Sequence, residues 1–215
     1  MPIYKTITVS EATKVYIWKV TESERELSKN IVLTNHCETR MLGMKSEMHR
    51  RAFLSIRHLL KLANYEDKDL YYNEFGKPHL KDGKYISITH SHNFTAIIIS
   101  SSHQAGIDIE KQRNKILRIA YKFTPIQEYS TLANSEAIVR KLTVVWGAKE
   151  SLYKIYAQPG LSFLNHINVK DFSLDDENTT AEILYEGRKS KYDVSFLELE
   201  DFTCVYALRL VEALQ

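Results

Sequence analysis

The chain has 215 residues, of which 44% are hydrophobic and 26% are charged, as in an ordinary globular protein. Its 29 basic and 27 acidic side chains give a net charge of +2, which excludes a grossly basic nucleic-acid-binding protein. Cys37 and Cys204 lie far apart in sequence and indicate neither a disulfide framework nor a CxxC metal site. Because we find no signal peptide and no apolar run near the roughly 20 residues of a membrane span, we expect a cytoplasmic protein without a membrane partner.

Hydrophobic periodicity predicts four regular regions in the first half of the chain. Residues 13–20 alternate as in a strand, and residues 46–63 form a strongly amphipathic helix with Ser46 as a candidate N-cap. The apolar face of this helix comprises Met48, Ala52, Ile56, Leu59, Leu60 and Ala63, and the polar face carries Arg50, Arg57 and Lys61. Residues 70–80 indicate a strand that runs into a Gly-Lys-Pro turn, and residues 84–102 indicate two buried strands.

The second half repeats this order of elements. GIDIE (106–110) predicts a short strand, residues 116–123 a helix, Thr124-Pro125 the start of a further helical turn, and residues 135–157 a long helix. Strands are expected near residues 166–172, 179–186, 190–197 and 202–210. Each half therefore consists of a strand, a helix and antiparallel strands, which predicts an α+β fold made of two similar halves.

Two acids stand out in GIDIE, because side chains two apart in a strand project to the same face. Asp108 and Glu110 would repel each other unless a cation lies between them, and such hard oxygen ligands favour Mg²⁺ or Mn²⁺. A strand end whose acids simply reach solvent explains the pair equally well.

The long helix carries a third acid in the segment WGAKESLYK (146–154). Trp146, Glu150 and Lys154 are spaced i, i+4 and i+8 and lie in one row on a helix. The alternative is an exposed Glu–Lys pair that stabilises the helix slightly. Three carboxylates with a lysine suit a metal-bound phosphate, since the acids hold the ion and the lysine offsets the phosphate charge.

These two segments together resemble the paired signature of the 4′-phosphopantetheinyl transferase superfamily. Four further segments are similar to family segments in the same order: EMHRRAFLSIRHLL (47–60), FGKPHL (75–80), ISITHSHN (86–93) and KFTPIQEYSTL (122–132). Their spacing resembles the two-halved, monomeric surfactin-synthetase-activating (Sfp) type, whereas the short holo-carrier-protein synthases contain one such half.

The resemblance implies a Mg²⁺-dependent transfer of 4′-phosphopantetheine from coenzyme A (CoA) to a serine of an apo acyl carrier protein or peptidyl carrier protein domain, with release of 3′,5′-ADP. It also implies a pseudo-duplicated α+β fold in which each half is a helix packed on a mainly antiparallel sheet, with CoA in the cleft between them. Residues 1–104 would form the adenine and 3′-phosphate side, and residues 105–215 would supply the metal ligands and the catalytic helix. Nucleic acid is not an expected partner.

The resemblance also assigns roles to the acidic and basic residues of the second half. Asp108, Glu110 and Glu150 match the metal ligands, and Glu150 also matches the residue that acts as general base on the serine. Lys154 matches a pyrophosphate contact with a catalytic role, and Lys149 belongs to the same cofactor-binding motif.

A second set of residues matches positions around the nucleotide end of CoA: Arg51, Gly76, Lys77, Pro78, Thr89 and His90. Gly76, Lys77 and Pro78 match a loop that holds the adenine, while Thr89 and His90 match a Ser-His pair on the phosphates. His90 is counted among the catalytic residues as well. The alternatives for Arg51 and His90 are a solvated helix face and a structural histidine.

Two departures from the family pattern keep other functions open. Asn35 and Glu38 lie where family members often have basic residues, and the loop at 156–163 is one residue longer. A member that binds CoA or a carrier protein without transferring anything is therefore an alternative. A nucleic-acid-binding domain is a second, motivated by one cluster: Arg50, Arg51, Arg57, His58 and Lys61.

Overall fold

The computed structural model describes residues 3–125 and 134–210. The chain divides into two compact units, Met1–Ser102 and His103–Gln215. No helix within the described residues is both long and apolar enough to cross a membrane.

The first unit is a four-stranded antiparallel sheet covered by one main helix. Its elements are β1 (Lys5–Ser10), β2 (Thr13–Lys19), α1 (Glu24–Leu27), α2 (Asn35–Leu42), α3 (Glu47–Leu62), β3 (Leu70–Tyr72), β4 (Pro78–Leu80), β5 (Tyr85–Ser91) and β6 (Phe94–Ser100). The sheet order is β1-β2-β6-β5, and β3 and β4 form a separate hairpin. Helix α3 packs on β6 and β2, and Ile97, Ile98 and Ile99 of β6 are all buried, which confirms a central strand covered on both faces.

Several features of the first unit differ from the sequence predictions. Strand β1 and helices α1 and α2 were not predicted, although Ser23 and Glu26 form a capping box at α1 and Thr34 caps α2. Ser46 occupies the N-cap position of α3 as expected, but its side chain makes no capping hydrogen bond. Met48, assigned to the apolar face of α3, is 51% exposed because it lies in the first turn, before the buried stretch begins at Ala52.

Arg57, which the periodicity assigns to the polar face of α3, is buried. Its guanidinium donates to Asp67 Oδ1 at 2.9 Å and lies 3.4 Å from the centre of the Phe53 ring. The second oxygen of Asp67 accepts hydrogen bonds from the backbone N–H and the hydroxyl of Thr34. Arg57 thus joins α3 to the segment before α2, because a buried charge is tolerated only when it is paired and hydrogen-bonded.

The second unit is a five-stranded antiparallel sheet with one long helix. Its elements are β7 (Ala105–Lys111), α4 (Ser135–Tyr156), α5 (Phe163–His166), β8 (Ile167–Val169), β9 (Asn178–Tyr185), β10 (Arg188–Leu199) and β11 (Phe202–Arg209). The sheet order is β7-β11-β10-β9-β8, so β7, which carries GIDIE, is an edge strand. Helix α4 packs on β7 and β11, and each unit is therefore a helix on an antiparallel sheet, which confirms the α+β fold.

The helix predicted over 116–123 was wrong. The chain forms two short 3₁₀ turns instead, Asn114–Arg118 and Ala120–Lys122. Ala120 and Phe123 are buried and are spaced by three residues, which suits the eclipsed i, i+3 positions of a 3₁₀ turn. A helical turn was also expected to begin at Thr124-Pro125. That turn and the remainder of the family-like segment KFTPIQEYSTL (122–132) fall among residues 126–133, which lie outside the described residues.

Candidate active site

Helix α4 brings a lysine onto the first acid of GIDIE. Asp108 is buried on β7, opposite Val205 of β11. The Lys154 ammonium donates to Asp108 Oδ1 at 2.7 Å and to the carbonyl of Ile107 at 2.8 Å. The ammonium therefore attaches the last turns of α4 to β7 and places a cation directly on this carboxylate.

Glu150 lies on α4 one turn before Lys154 and holds its proton unusually tightly. Burial raises the pKa of the Glu150 carboxyl to about 7, the negative charge of Asp108 and, less strongly, of Glu110 adds to the increase, and Lys154 opposes it. The three acids thus lie near enough to act on one another electrostatically. Such coupled carboxylates concentrate negative charge and are typical of functional sites.

The donor set of this acid site, Asp108, Glu110 and Glu150, fits a hard divalent cation, because all three groups offer carboxylate oxygens. Mutual repulsion between the acids is the physical sign that added positive charge would be favourable there. Within residues 3–125 and 134–210, no three His, Cys, Asp or Glu side chains are arranged as a ready-made metal centre.

A cavity of about 450 Å³ lies beside Glu150. It is lined by Ile119, Lys122, Phe123, Trp146, Glu150 and Phe163. The Trp146 ring contacts Phe123 edge-on at 5.1 Å and Phe163 at 5.5 Å, measured between ring centres. This mainly apolar cavity, with one carboxyl group in its wall, has the character of a small-molecule site.

Lys149 precedes Glu150 but projects into the interior. It is 1% exposed, and its ammonium donates to the backbone carbonyls of Phe123 at 2.5 Å and Phe163 at 2.8 Å. Both residues are walls of the cavity beside Glu150. The resemblance assigns Lys149 to cofactor binding. In the structure its ammonium is hydrogen-bonded to the backbone of two residues that line the cavity.

In the first unit, Gly76 and Lys77 belong to the loop between β3 and β4 that Asn73 organises, and Pro78 begins β4. The Asn73 side-chain oxygen accepts from the backbone N–H groups of Phe75 at 3.0 Å and Lys77 at 2.9 Å. Gly76 has φ +76°, a left-handed conformation that glycine adopts most readily. Burial lowers the pKa of the Lys77 ammonium. Sequence reasoning missed Asn73, although an Asn three residues before a glycine in a turn is a recognisable signal for such side-chain capping.

Thr89 and His90 do not share a face of β5. Thr89 is buried, whereas His90 is exposed and lies 6.0 Å from His49, ring centre to ring centre. This follows from the alternation of side chains along a strand. Arg51 on α3 is half-buried, and its Nε atom is buried with no hydrogen-bond partner in the described part of the chain.

Comparison with known proteins finds a family model and a relative that match this chain. Residues 104–207 match the family model described as the 4′-phosphopantetheinyl transferase superfamily. Over 152 residues the chain is 30% identical to the protein named 4′-phosphopantetheinyl transferase gsp of Aneurinibacillus migulanus. That alignment covers 68% of this chain and 60% of the relative's length. The second unit of the chain therefore matches the 4′-phosphopantetheinyl transferase superfamily.

The match to the superfamily falls on the unit that holds the acid site. Asp108, Glu110, Glu150 and Lys154 all lie within the matched residues 104–207. The candidate residues of the first unit lie outside that range, so their assignment depends on the resemblance of short segments. Sequence reasoning also passed over Gly147, whose spatial role becomes visible only where α4 crosses the sheet.

Proposed function

We propose that this protein transfers 4′-phosphopantetheine from CoA to a serine of an apo acyl or peptidyl carrier protein and releases 3′,5′-ADP, and that it requires Mg²⁺, with Mn²⁺ as a substitute. The observation that carries the proposal is the acid site. Asp108 is paired with Lys154, and Glu150 has a pKa of about 7 beside a cavity of about 450 Å³.

Asp108, Glu110 and Glu150 would hold Mg²⁺, whose charge would offset that of the CoA pyrophosphate. The carboxylate of Glu150 would accept the proton of the carrier serine hydroxyl. The serine oxygen then bonds to the phosphorus that bears pantetheine, and the bond from this phosphorus to the bridging oxygen breaks. Lys154 would donate hydrogen bonds to phosphate oxygens, where negative charge develops on the leaving 3′,5′-ADP.

The first unit would bind the nucleotide end of CoA. Arg51 supports this role, because its buried and unsatisfied Nε–H would gain a partner from a phosphate oxygen. His90 is exposed on β5, and Gly76 and Lys77 lie in the loop organised by Asn73, directly before Pro78 at the start of β4. We propose Thr89 as a member of this set as well, acting through the backbone of β5 since its side chain is buried.

The proposal is tested by incubating the protein with CoA, Mg²⁺ and a panel of apo carrier proteins, followed by intact-protein mass spectrometry. We expect the mass of phosphopantetheine to be added to a carrier serine. Glu150→Gln should abolish the shift, whereas Glu182→Gln on β9 makes the same charge change in the same unit and should not. The proposal fails when the wild-type protein shifts no carrier and calorimetry detects no CoA binding.

A non-catalytic protein that binds CoA or a carrier protein is the second candidate. It is motivated by the departures from the family pattern, which are Asn35, Glu38 and the altered loop at 156–163. In that case calorimetry would detect CoA or carrier binding without any mass shift, and Glu150→Gln would leave the cellular phenotype unchanged.

The structure removes most of the support for a nucleic-acid-binding function, because side chains of the basic cluster make contacts inside the first unit. Arg57 and His58 of the basic cluster are buried, and the Nε–H of Arg50 donates to both carboxylate oxygens of Glu24. His58 Nε2 makes a 2.8 Å hydrogen bond with the Leu27 carbonyl. These side chains are used within the first unit, so they do not form a surface patch for phosphates.

A further inference from the structure

Two glycines mark the seam where α4 crosses β7 and β11. A Cβ atom at Gly106 would lie 2.0 Å from the Ser151 carbonyl oxygen, and one at Gly147 would lie 2.7 Å from Val205 Cγ2. Neither glycine has a positive φ, so an L-residue could adopt either backbone conformation. Glycine is therefore required at both positions because there is no room for a Cβ atom, and not because of the backbone angle.

The two close approaches differ in what a larger residue would meet. At Gly106 the obstacle is the backbone of α4, which cannot be trimmed. At Gly147 the obstacle is the side chain of Val205, which is fully buried on β11. The same Cβ would lie 3.8 Å from Asp108 Oδ2, so Gly147 sits directly over the first acid of GIDIE.

Hydrogen bonds fix α4 to the sheet on the same face of the helix. The Ser151 hydroxyl donates to the Val205 carbonyl at 3.1 Å, and Lys154 donates to the Ile107 carbonyl at 2.8 Å. Gly147, Ser151 and Lys154 are spaced i, i+4 and i+7, which places them in one stripe along the helix. A helix lifted away from β11 at Gly147 would carry Glu150 and Lys154 with it.

We propose that Gly147 is a positioning residue: seated against Val205, it sets how closely α4 approaches β7 and thereby holds Glu150 and Lys154 in register with Asp108. The inference rests on the proposed function, since it concerns the same acid site. An added methyl group at 147 would have to push α4 outward, because packed interiors have little free volume. Small misplacements of reacting groups are costly, as a shift of about 1 Å lowers rates on the order of 100-fold.

The test is a double-mutant cycle of wild type, Gly147→Ala, Val205→Ala and the double variant. Assays are run at a temperature at which circular dichroism shows all four proteins to be folded. We expect Gly147→Ala to lower kcat about tenfold with a smaller change in KM for CoA, given this sensitivity to position. Val205→Ala should lower the melting temperature and retain most of the activity, and the double variant should regain most of the lost kcat.

Mn²⁺ affinity, measured by electron paramagnetic resonance in the absence of a carrier, is a second readout. It should fall in Gly147→Ala and recover in the double variant. Gly43→Ala is the matched control, because its Cβ would lie 3.5 Å from the nearest atom, an ordinary contact. If Gly147→Ala does not fold, Gly147→Ala and Gly147→Val are compared in the Val205→Ala background, where kcat and Mn²⁺ affinity should fall as the side chain grows.

A Gly147→Ala protein that loses stability but keeps its kcat and Mn²⁺ affinity would overturn the proposal and leave Gly147 a packing residue. Equal losses in Gly147→Ala and the double variant would also overturn it, because Val205 would then not be the obstacle. A wild-type protein that neither transfers nor binds Mn²⁺ instead overturns the proposed function, and the positioning role falls with it.

Discussion

Lys154 is expected to compete with a metal ion for Asp108. Its ammonium donates to Asp108 Oδ1 at 2.7 Å, and the two side chains are only 28% and 8% exposed. A metal ion that binds this oxygen must displace the ammonium and tolerate its positive charge. Lys154→Met retains the length of the side chain and removes that competitor. We therefore predict that CoA-free Lys154→Met binds Mn²⁺ more tightly than the wild type.

The size of the effect follows from the contact that is removed. A hydrogen bond between charged, partly buried groups contributes about 1.5–3 kcal/mol. Since about 1.4 kcal/mol corresponds to tenfold in affinity, Mn²⁺ affinity should rise roughly tenfold to 100-fold. With CoA present the sign should reverse, because Lys154 is proposed to bind the pyrophosphate, and the variant should hold the Mn²⁺–CoA pair less tightly.

Electron paramagnetic resonance of free Mn²⁺, titrated at pH 8 with and without CoA, measures both effects. Lys189→Met is a suitable control, because Lys189 pairs with Glu182 in the same unit at 2.8 Å and its loss changes the net charge equally. Affinity that is unchanged or weaker in CoA-free Lys154→Met, relative to this control, would refute the reasoning. It would mean that the Asp108 oxygen bonded to Lys154 is not a metal ligand.

Three other predictions concern the fold and the acid site. Gly106→Ala should fail to fold, because its Cβ would lie 2.0 Å from the Ser151 carbonyl oxygen; a soluble variant with a wild-type melting temperature would contradict this. Glu150 has a pKa of about 7, so Mn²⁺ affinity should rise about tenfold per pH unit up to pH 7 and then level off, while Glu150→Gln should show no such rise. Arg57→Met should lower the free energy of unfolding by about 3–5 kcal/mol in urea titrations, since it leaves the buried carboxylate of Asp67 without its cation; a loss below about 1 kcal/mol would show that the pair is not important.

The elements that sequence predicted well are those whose pattern is local. Helix α4 has 22 residues and an apolar stripe, and β6 has three consecutive isoleucines that are all buried. Both patterns are contained within one element, so the helix and the strand can be predicted without knowing what packs against them. Short elements carry fewer residues and depend on caps. The capping box of Ser23 and Glu26 at α1 was visible in the sequence but was not used.

Arg57 shows why side-chain environment is harder to predict than secondary structure. Its position on α3 is polar by residue type, and the pattern alone places it in solvent. The structure buries it because Asp67, ten positions later, returns to the helix and supplies the matching charge. The periodicity of a single helix does not predict such a buried pair, in which each charge compensates the other.

The acid site was predictable in composition but not in arrangement. The sequence indicated three acids and a lysine, and α4 and β7 carry them as expected. It did not indicate that Lys154 binds Asp108, since that contact depends on how closely α4 crosses the sheet. The crossing is set by Gly106 and Gly147, whose importance appears only when the missing Cβ atoms are placed against Ser151 and Val205.

The raised pKa of Glu150 shows that the acid site lowers the stability of the fold at neutral pH. Burial and neighbouring negative charge raise the pKa of Glu150, so the folded state holds this proton more tightly than the unfolded chain. Between the ordinary pKa near 4.5 and the raised value near 7, stability therefore falls as pH rises, and the loss is complete above that range. A fold gains nothing from such a group, and Lys154 offsets only part of the repulsion. The proposed Mg²⁺ site would account for acids that weaken their own fold at neutral pH, because a bound cation would supply the missing charge.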